Sequence, residues 1–435
     1  MKQIVIVGGG AGGLQLATRL GHYFNRSLLP GRTRKNPAAR VTLVDRNRTH
    51  IWKPLLHQVA TGSIDTGLDA LNYQVHARKN QFNFELGSLE SVDRERKVIT
   101  LSPVIDEDDH ELVPARELEY DYLVLALGSQ SNDFNTPGVR EHCVFLDSSE
   151  QARRFHRLLL DRFLQLETRT TERLQIAIVG GGATGVELAA ELVDAAEQMG
   201  RYGKIDSDAL QITLIEAGDH LLPALPARLG NNAERELQRL GVRVITGCAV
   251  AEASADGLTT ADGEKIPAAI RVWAAGVKAP DFLSRLDGLA TNKLNQIEVS
   301  PELVSDTDPD IFAIGDCAGC LDARNFRVPP RAQSAQQMAG VAEHNLIARV
   351  EGKPLRAFRY NDRGSLVSLS KHTAVGNLMG ALVKGSLTIE GRVAGLAYRS
   401  LYRMHLAAVH GWAKAMVIYL VGQANRFVKP RMKLH

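Results

Sequence analysis

At 435 residues the chain is too long for one ordinary core and calls for two or three domains, while 44% apolar and 23% charged residues are ordinary for a globular enzyme. The net charge is only +3, yet 15 Lys/Arg stand against 3 Asp/Glu from Leu346 to His435, a basic tail on an acidic body that suits an anionic surface, phospholipid or nucleic acid. Four cysteines (Cys143, Cys248, Cys317, Cys320) exclude a disulfide scaffold and fit a cytoplasmic chain, and the lack of a long uncharged apolar run excludes a clear spanning helix.

The chain enters a strand at once, which leaves no room for a signal peptide. Ile4-Val5-Ile6-Val7 runs into Gly8-Gly9-Gly10-Ala11-Gly12-Gly13, a G-x-G-x-x-G turn between a buried strand and a helix. In such a turn Gly8 permits the tight bend, Gly10 lets backbone approach a pyrophosphate, and Gly13 lets helix and strand pack closely. The pyrophosphate would sit on unpaired N–H groups at the helix start. The strand Val41–Asp45 then ends in an acid suited to an adenosine ribose. Asp45 follows Gly13 by 32 residues, against the usual spacing of about 20. The insertion from Asn25 to Pro37, rich in Arg, Pro and Gly, reads as a loop that accounts for the excess.

Strands are predicted within Asn83–Leu89 and Lys97–Leu101, with an acidic loop from Asp106 to Glu111 beyond them. The chain returns through the apolar stretch Tyr120–Leu127 to Gly128 and Ser129, and residues 1–147 read as the first part of a first domain. A second copy of the motif follows. Ile176–Val179 leads into Gly180-Gly181-Gly182-Ala183-Thr184-Gly185, and the strand Ile212–Ile215 ends at Glu216. A polar insertion around Met199 to Asp208 lengthens this copy as well. Two complete copies imply two dinucleotides held at once, and so electron transfer between them. Glu216 should bind a ribose 2′-hydroxyl and repel a 2′-phosphate, favouring NADH over NADPH. This second domain, residues 148–280, closes with Ile270–Gly276. The segment Thr307–Ala318 delivers Gly315 and Asp316 to a helix start, so residues 281–345 return to the first domain, and residues 346–435 form a separate module.

These pieces in this order resemble the two-dinucleotide-binding flavoproteins, and more narrowly the type II NADH:quinone oxidoreductases over essentially the whole chain. The narrower resemblance rests on Pro54–Gly62 (PLLHQVATG), on Gly181–Glu187 (GGATGVE), on Ala332–Gln337 (AQSAQQ, fitting A-Q-x-A-x-Q), on Tyr360–Gly364 and on the basic, apolar C-terminus. It implies an α/β fold with two Rossmann-like domains, for FAD and for NADH, plus a C-terminal membrane-associating module. Hydride would pass from NADH to non-covalent FAD, and two electrons from FAD to a membrane quinone, without proton pumping. FAD would be held by Gly8, Gly10, Gly12, Gly13, Asp45, Gly128, Gly315, Ala332 and Gln333, with Leu89 meeting the adenine through its backbone and Asp316 the ribityl chain. NADH would be held by Gly180, Gly182, Gly185, Glu216 and Gly276, with Glu187 at its nicotinamide end. Gln333 and Gln337, four apart and so on one helix face, would stand beside the flavin at the quinone tunnel, with Lys371 near them. Glu187, Gln333 and Gln337 are the expected catalytic residues. Without this resemblance, Glu187 reads as a carboxylate favoured by the helix dipole and Asp316 as a helix N-cap.

The cysteines discriminate among relatives. None precedes Cys143, which argues against the disulfide reductases, against peroxidase and oxidase relatives, and against a sulfide:quinone oxidoreductase. Cys317-x-x-Cys320 lacks a second pair and is a poor zinc site, so no metal is expected. A soluble ferredoxin or rubredoxin reductase shares both fingerprints but needs no membrane segment. A redox sensor with its tail on nucleic acid is a further alternative.

Near the C-terminus Arg392, Arg399, Arg403, His410 and Lys414 recur at intervals of 7, 4, 7 and 4, one stripe of a helix whose other face is apolar. That pattern suits a helix lying in the membrane interface, with Arg426, Lys429, Arg431 and Lys433 as a polybasic end. Together these features point to a peripheral, monotopic protein on the cytoplasmic face of the inner membrane, bound to phospholipid and not to nucleic acid. They leave a homodimer open.

Overall fold

The computed structural model describes residues 1–25, 38–64, 70–106, 108–168, 173–201, 209–369, 374–380, 383–390 and 416. They fall into two compact units. The first comprises Met1–Trp52, Ala70–Gln130 and Val277–Asn361; the second comprises the described residues of 53–69, Ser131–Gly276 and those from Asp362 on.

In the first unit a five-stranded parallel sheet runs in the order Ile311–Ala313, Tyr122–Leu125, Lys2–Val7, Ala39–Asp45, Asn83–Leu86. Ile4 to Val7 and Tyr122 to Leu125 are buried throughout, as continuous apolar runs in a parallel sheet covered on both faces should be. The strand order reverses between Lys2–Val7 and Tyr122–Leu125, where an open α/β sheet leaves a crevice at its carboxyl edge. The helices Ala11–Asn25 and Ala332–Glu351 pack together. An antiparallel sheet of Leu89–Asp93, Val98–Leu101 and Arg116–Glu119 stands beside the main one in the chain, with an irregularity between Leu89 and Ser91.

The second unit repeats the plan. Its parallel sheet runs Val144–Phe145, Ile270–Trp273, Leu174–Val179, Leu210–Ile215, Arg243–Ile245, and reverses between Leu174–Val179 and Ile270–Trp273. Val179, Ile215, Trp273, Leu258 and Ile266 share its core with the antiparallel strands Val250–Ala253, Gly257–Thr260 and Lys265–Pro267. The short helix Leu56–Ala60 packs on two helices of this unit, Ser149–Thr168 and Ala183–Arg201, and the strand Gly364–Ser368 packs on the latter.

The units divide elsewhere than at the boundaries read from sequence, after residues 147, 280 and 345. Residues around Leu56–Ala60 join the second unit because their helix packs there, and Val144–Phe145 joins it by pairing with Ile270–Trp273. The helix Ala332–Glu351 runs without a break across residue 345, so the first unit extends to Asn361. The helix Ala183–Arg201 likewise continues into the insertion expected from Met199. The rest of both insertions, Lys371, and the basic stripe from Arg392 to Lys414 lie outside the described residues. Among the described residues no helix is long and apolar enough to cross a membrane.

Candidate functional site

Each glycine turn is built from the end of a central strand. Gly8 has φ +106° and Gly180 φ +110°, conformations that side chains resist. A Cβ on Gly8 would lie 2.3 Å from the Ala126 carbonyl oxygen, and one on Gly180 2.7 Å from that of Ala274. Both contacts are with the neighbouring strand across the reversal point. Gly13 and Gly185 are fixed more tightly still, since a Cβ there would stand 1.9 Å from Gly8 O and 2.0 Å from Gly180 O.

Gly10 and Gly182 differ from these. Among the described residues, its own chain neighbours aside, a Cβ on either would meet no atom within 4 Å. Nothing in the packing of the described residues calls for glycine at these positions. Gly128, at the end of the returning strand, also has open space beside it, but its φ of +70° by itself favours glycine.

The acids at the second strand ends are already engaged. Gly9 N–H donates to Asp45 Oδ2 (2.7 Å) and Asn47 N–H to Oδ1 (2.7 Å). In the second unit Gly181 N–H donates to Glu216 Oε2 (2.5 Å) and Gly218 N–H to Oε1 (2.7 Å). A carboxylate has about four acceptor sites, so both can still receive a ribose hydroxyl. Sequence reasoning missed Tyr73. Its hydroxyl donates to Gly9 O (2.7 Å), its ring stacks on Phe84 (5.1 Å between centroids), and a Cβ on Gly9 would run into it. A cavity of about 450 Å³ in this unit is lined by Arg48, Asn72, Phe84, Leu86 and Arg116 among others, and Leu86 is the register partner of Asp45.

Gly12, Gly315 and the turn that carries Asp316 lie near the start of the helix Ala332–Glu351. A Cβ on Gly12 would lie 3.0 Å from Ala335 O, and one on Gly315 3.2 Å from Ala335 Cβ, so both glycines admit that helix. Asp316 lies in the single 3-10 turn Gly315–Cys317 and caps no helix. Its side chain accepts from Ser129 Oγ (2.8 Å), the residue that ends the returning segment, a pairing the sequence did not reveal. Leu89 is buried at the irregular start of its strand. Ala332 begins the helix, and Gln333 and Gln337 share a face of it. Gln337 binds the Asn361 backbone at both ends of its amide: Nε2 donates to Asn361 O (2.9 Å) and Oε1 accepts from Asn361 N–H (3.0 Å). Cys317 and Cys320 are buried free thiols. Burial pushes them up to about 11 and about 12, so they stay protonated and unreactive at neutral pH.

In the second unit Gly276 (φ +59°) lies against Phe134, whose Cζ would be 2.6 Å from an added Cβ. Glu187 is buried on the first turn of the helix Ala183–Arg201. Its Oε1 accepts from Ser368 N–H (3.1 Å), and its Oε2 lies 3.5 Å from Nδ1 of His57. His57 is 2% exposed, and burial brings its imidazole down to about 4, opposed only by the Pro54 carbonyl. It is therefore neutral at physiological pH. One turn further along the same helix, Glu191 accepts from Ser63 Oγ (2.9 Å) and Gln58 Nε2 (3.5 Å). The run Pro54–Gly62 is thus laid along the carboxylates of this helix.

Residues 2–339 match the family model of the pyridine nucleotide-disulphide oxidoreductases. Over the full length of both proteins the chain is 49% identical to a type II NADH:quinone oxidoreductase of Haemophilus influenzae. It is 28% identical to the type II NADH:quinone oxidoreductase Ndh of Mycobacterium tuberculosis, over 99% of this chain and 89% of that one. Among solved structures it superposes on NDH2 of Plasmodium falciparum in complex with NADH with a TM-score of 0.81, covering 99% of this chain and all of that chain at 19% identity.

Proposed function

This chain belongs to the type II NADH:quinone oxidoreductases, and from that membership we infer how its residues divide the work. The enzyme oxidises NADH through FAD and reduces a quinone. Bound FAD supplies the redox chemistry, accepting hydride from NADH and delivering two electrons to the quinone.

The first unit is assigned to FAD and the second to NADH. The carrying observation is the pair of open glycines, Gly10 and Gly182, each set between a strained strand end and a helix start, with no packing among the described residues that calls for a missing side chain. Both fit a pyrophosphate pressed against backbone N–H groups. In the first turn, Gly8, Gly12 and Gly13 set the geometry and Asp45 takes the ribose. Leu89 offers its backbone to the adenine. Gly128, Gly315, Asp316, Ala332 and Gln333 serve the flavin half. In the second turn, Gly180, Gly185 and Gly276 set the geometry, Glu216 reads the ribose, and Glu187 meets the nicotinamide end. Gln333 is the amide assigned to the quinone, with Lys371. Gln337, clamped to Asn361, holds the helix start in register with the chain that follows.

The basic C-terminal stretch is assigned to a phospholipid surface, where the quinone dissolves. Arg392 to Lys414 would lie in the interface of the inner membrane on its cytoplasmic side, as a peripheral attachment. A ferredoxin-type reductase would need no such stretch.

One experiment tests the division. Gly10→Ala should lose FAD from an otherwise folded protein. Gly182→Ala should keep FAD and raise the KM for NADH. If both variants lost flavin equally, the assignment of the two turns would fall.

A further inference from the structure

Gly9 is not one of the three glycines that a dinucleotide turn requires, yet no other residue fits there. A Cβ on Gly9 would lie 2.4 Å from the hydroxyl oxygen of Tyr73 and 2.5 Å from its Cζ. We propose, resting on the assignment of the first turn to FAD, that Tyr73 is a positioning residue: by holding the Gly9 carbonyl it aims the Gly10 N–H, at the other end of the same peptide plane, at the FAD pyrophosphate.

The Gly9–Gly10 peptide needs such a hold. A trans peptide is planar, with its carbonyl oxygen and its N–H pointing opposite ways, so a bond to one fixes the direction of the other. Between two glycines there is no Cβ to resist rotation of the whole plane, and a half-turn would present a carbonyl oxygen to the phosphates in place of an N–H. The preceding plane, Gly8–Gly9, is held by Asp45, whose Oδ2 accepts from Gly9 N–H (2.7 Å). The Gly9–Gly10 plane is held by the buried hydroxyl of Tyr73, which donates to Gly9 O (2.7 Å). Burial, with Asp45 nearby, raises this phenol well above its ordinary range, so it stays a donor at neutral pH. Tyr73 is itself fixed from three sides. Its ring stacks on Phe84, its backbone N–H donates to Arg48 O (3.1 Å), and its helix Tyr73–Asn80 is capped by Asn72, whose side chain accepts from Val75 N–H (3.0 Å).

The second turn reaches the same end by another means. Glu216 accepts from Gly181 N–H as Asp45 does from Gly9, and the Gly181 carbonyl accepts from the backbone N–H of Leu222 (2.8 Å). A Cβ on Gly181 would meet the Leu221 side chain at 2.6 Å. Both turns therefore clamp, at its carbonyl, the peptide that precedes the open glycine, one with a side-chain hydroxyl and the other with a main-chain amide. Two unrelated donors at equivalent places answer a need shared by both turns, and only the clamp in the first can be removed by deleting a single oxygen atom.

Tyr73→Phe, which keeps the ring and its stack on Phe84, tests this in the flavin-loaded enzyme. Dilution, followed by the fluorescence of released flavin, gives the Kd for FAD, and phosphorus NMR of the bound FAD reports on the pyrophosphate itself. Tyr73→Phe should raise the Kd for FAD by about tenfold, the order of one hydrogen bond to a charged group, while the Kd for NAD⁺, held by the second turn, changes by less than about twofold. The phosphorus resonances should move as well. An unchanged Kd for FAD would overturn the proposal, and so would a raised one with the phosphorus resonances at their native positions, because a hydroxyl that only supports the fold leaves the pyrophosphate undisturbed. Equal weakening of FAD and NAD⁺ would also overturn it, as a general loss of structure. Gly10→Ala, measured alongside, separates the proposal from the assignment beneath it. If Gly10→Ala holds FAD as tightly as the native enzyme, the first turn does not carry the pyrophosphate and the proposal falls with that assignment. If Gly10→Ala loses FAD while Tyr73→Phe matches the native enzyme, the proposal alone falls.

Discussion

Lowering the pH should destabilise the second unit through His57, by an amount the structure sets. The unfolded imidazole titrates near its ordinary 6.5, whereas the buried one is held down to about 4. Between those values the unfolded chain binds the proton and the folded one does not. Stability is therefore complete above pH 6.5, falls as the pH drops, and levels off below about pH 4. A shift of this size corresponds to roughly 3 kcal/mol in full, and to about 2 kcal/mol by pH 5. The groups facing this helix from its neighbours are Glu187 and Glu191 on Ala183–Arg201, His156 on Ser149–Thr168, and Lys53 with Asp147, 3.8 Å apart. They and all other titrating groups remain in His57→Asn, so the difference between the two proteins isolates the imidazole. The assay is urea unfolding at pH 7 and pH 5, followed by the tryptophan signal. Native protein should lose about 2 kcal/mol more than His57→Asn over that interval. Equal pH slopes would refute a buried neutral imidazole, whatever the absolute stabilities.

Four further outcomes are expected. Gly13→Ala and Gly185→Ala should fold poorly, since the added Cβ would lie 1.9–2.0 Å from backbone oxygen, whereas Gly10→Ala and Gly182→Ala should stay within about 0.5 kcal/mol of native stability without ligand; thermal melts of the four apoproteins decide it. Glu216→Gln should raise the KM for NADH and narrow the preference over NADPH, because the amide lacks the charge that repels a 2′-phosphate and matches the Gly181 and Gly218 N–H groups less well; an unchanged NADH/NADPH ratio would mean that another group reads the ribose. Asp322→Asn should cost about 2–3 kcal/mol, as its buried carboxylate accepts from the Arg324 side chain and from the N–H groups of Arg324, Phe326 and Tyr360. These partners depress Asp322 to about 2, so its contribution is present above pH 4 and lost as the pH falls toward 2. Removing Arg392 to His435 should release the enzyme from membranes with its flavin still bound, as read by sedimentation with vesicles; a truncated form that still sediments would refute the attachment.

What could be read from the sequence was what repeats or is local. The runs Ile4–Val7 and Ile176–Val179 had to be central parallel strands, because only a strand covered on both faces stays apolar at every position. The glycines after them, and the acids ending the next strands, gave two dinucleotide turns before any fold was drawn. Contacts made across the chain were not legible. Tyr73 seals the first turn from 64 residues away, and Ser129 meets Asp316 across 187. His57 stood in plain view within Pro54–Gly62, but no periodicity announces that a five-residue helix leaves its own flanking segments to pack against the second unit. Spacing placed Gln333 and Gln337 on one face, yet only the structure shows that Asn361 occupies both ends of the Gln337 amide.

The electron path itself is tested most directly by mixing the flavin-loaded enzyme with NADH in the absence of oxygen and then adding a short-chain quinone. Rapid bleaching of the flavin absorbance by NADH, followed by rapid recovery on adding quinone, is the expected result. Bleaching with no recovery would move the acceptor to a protein such as ferredoxin, and an absence of bleaching would contradict the transfer of hydride from NADH to the flavin.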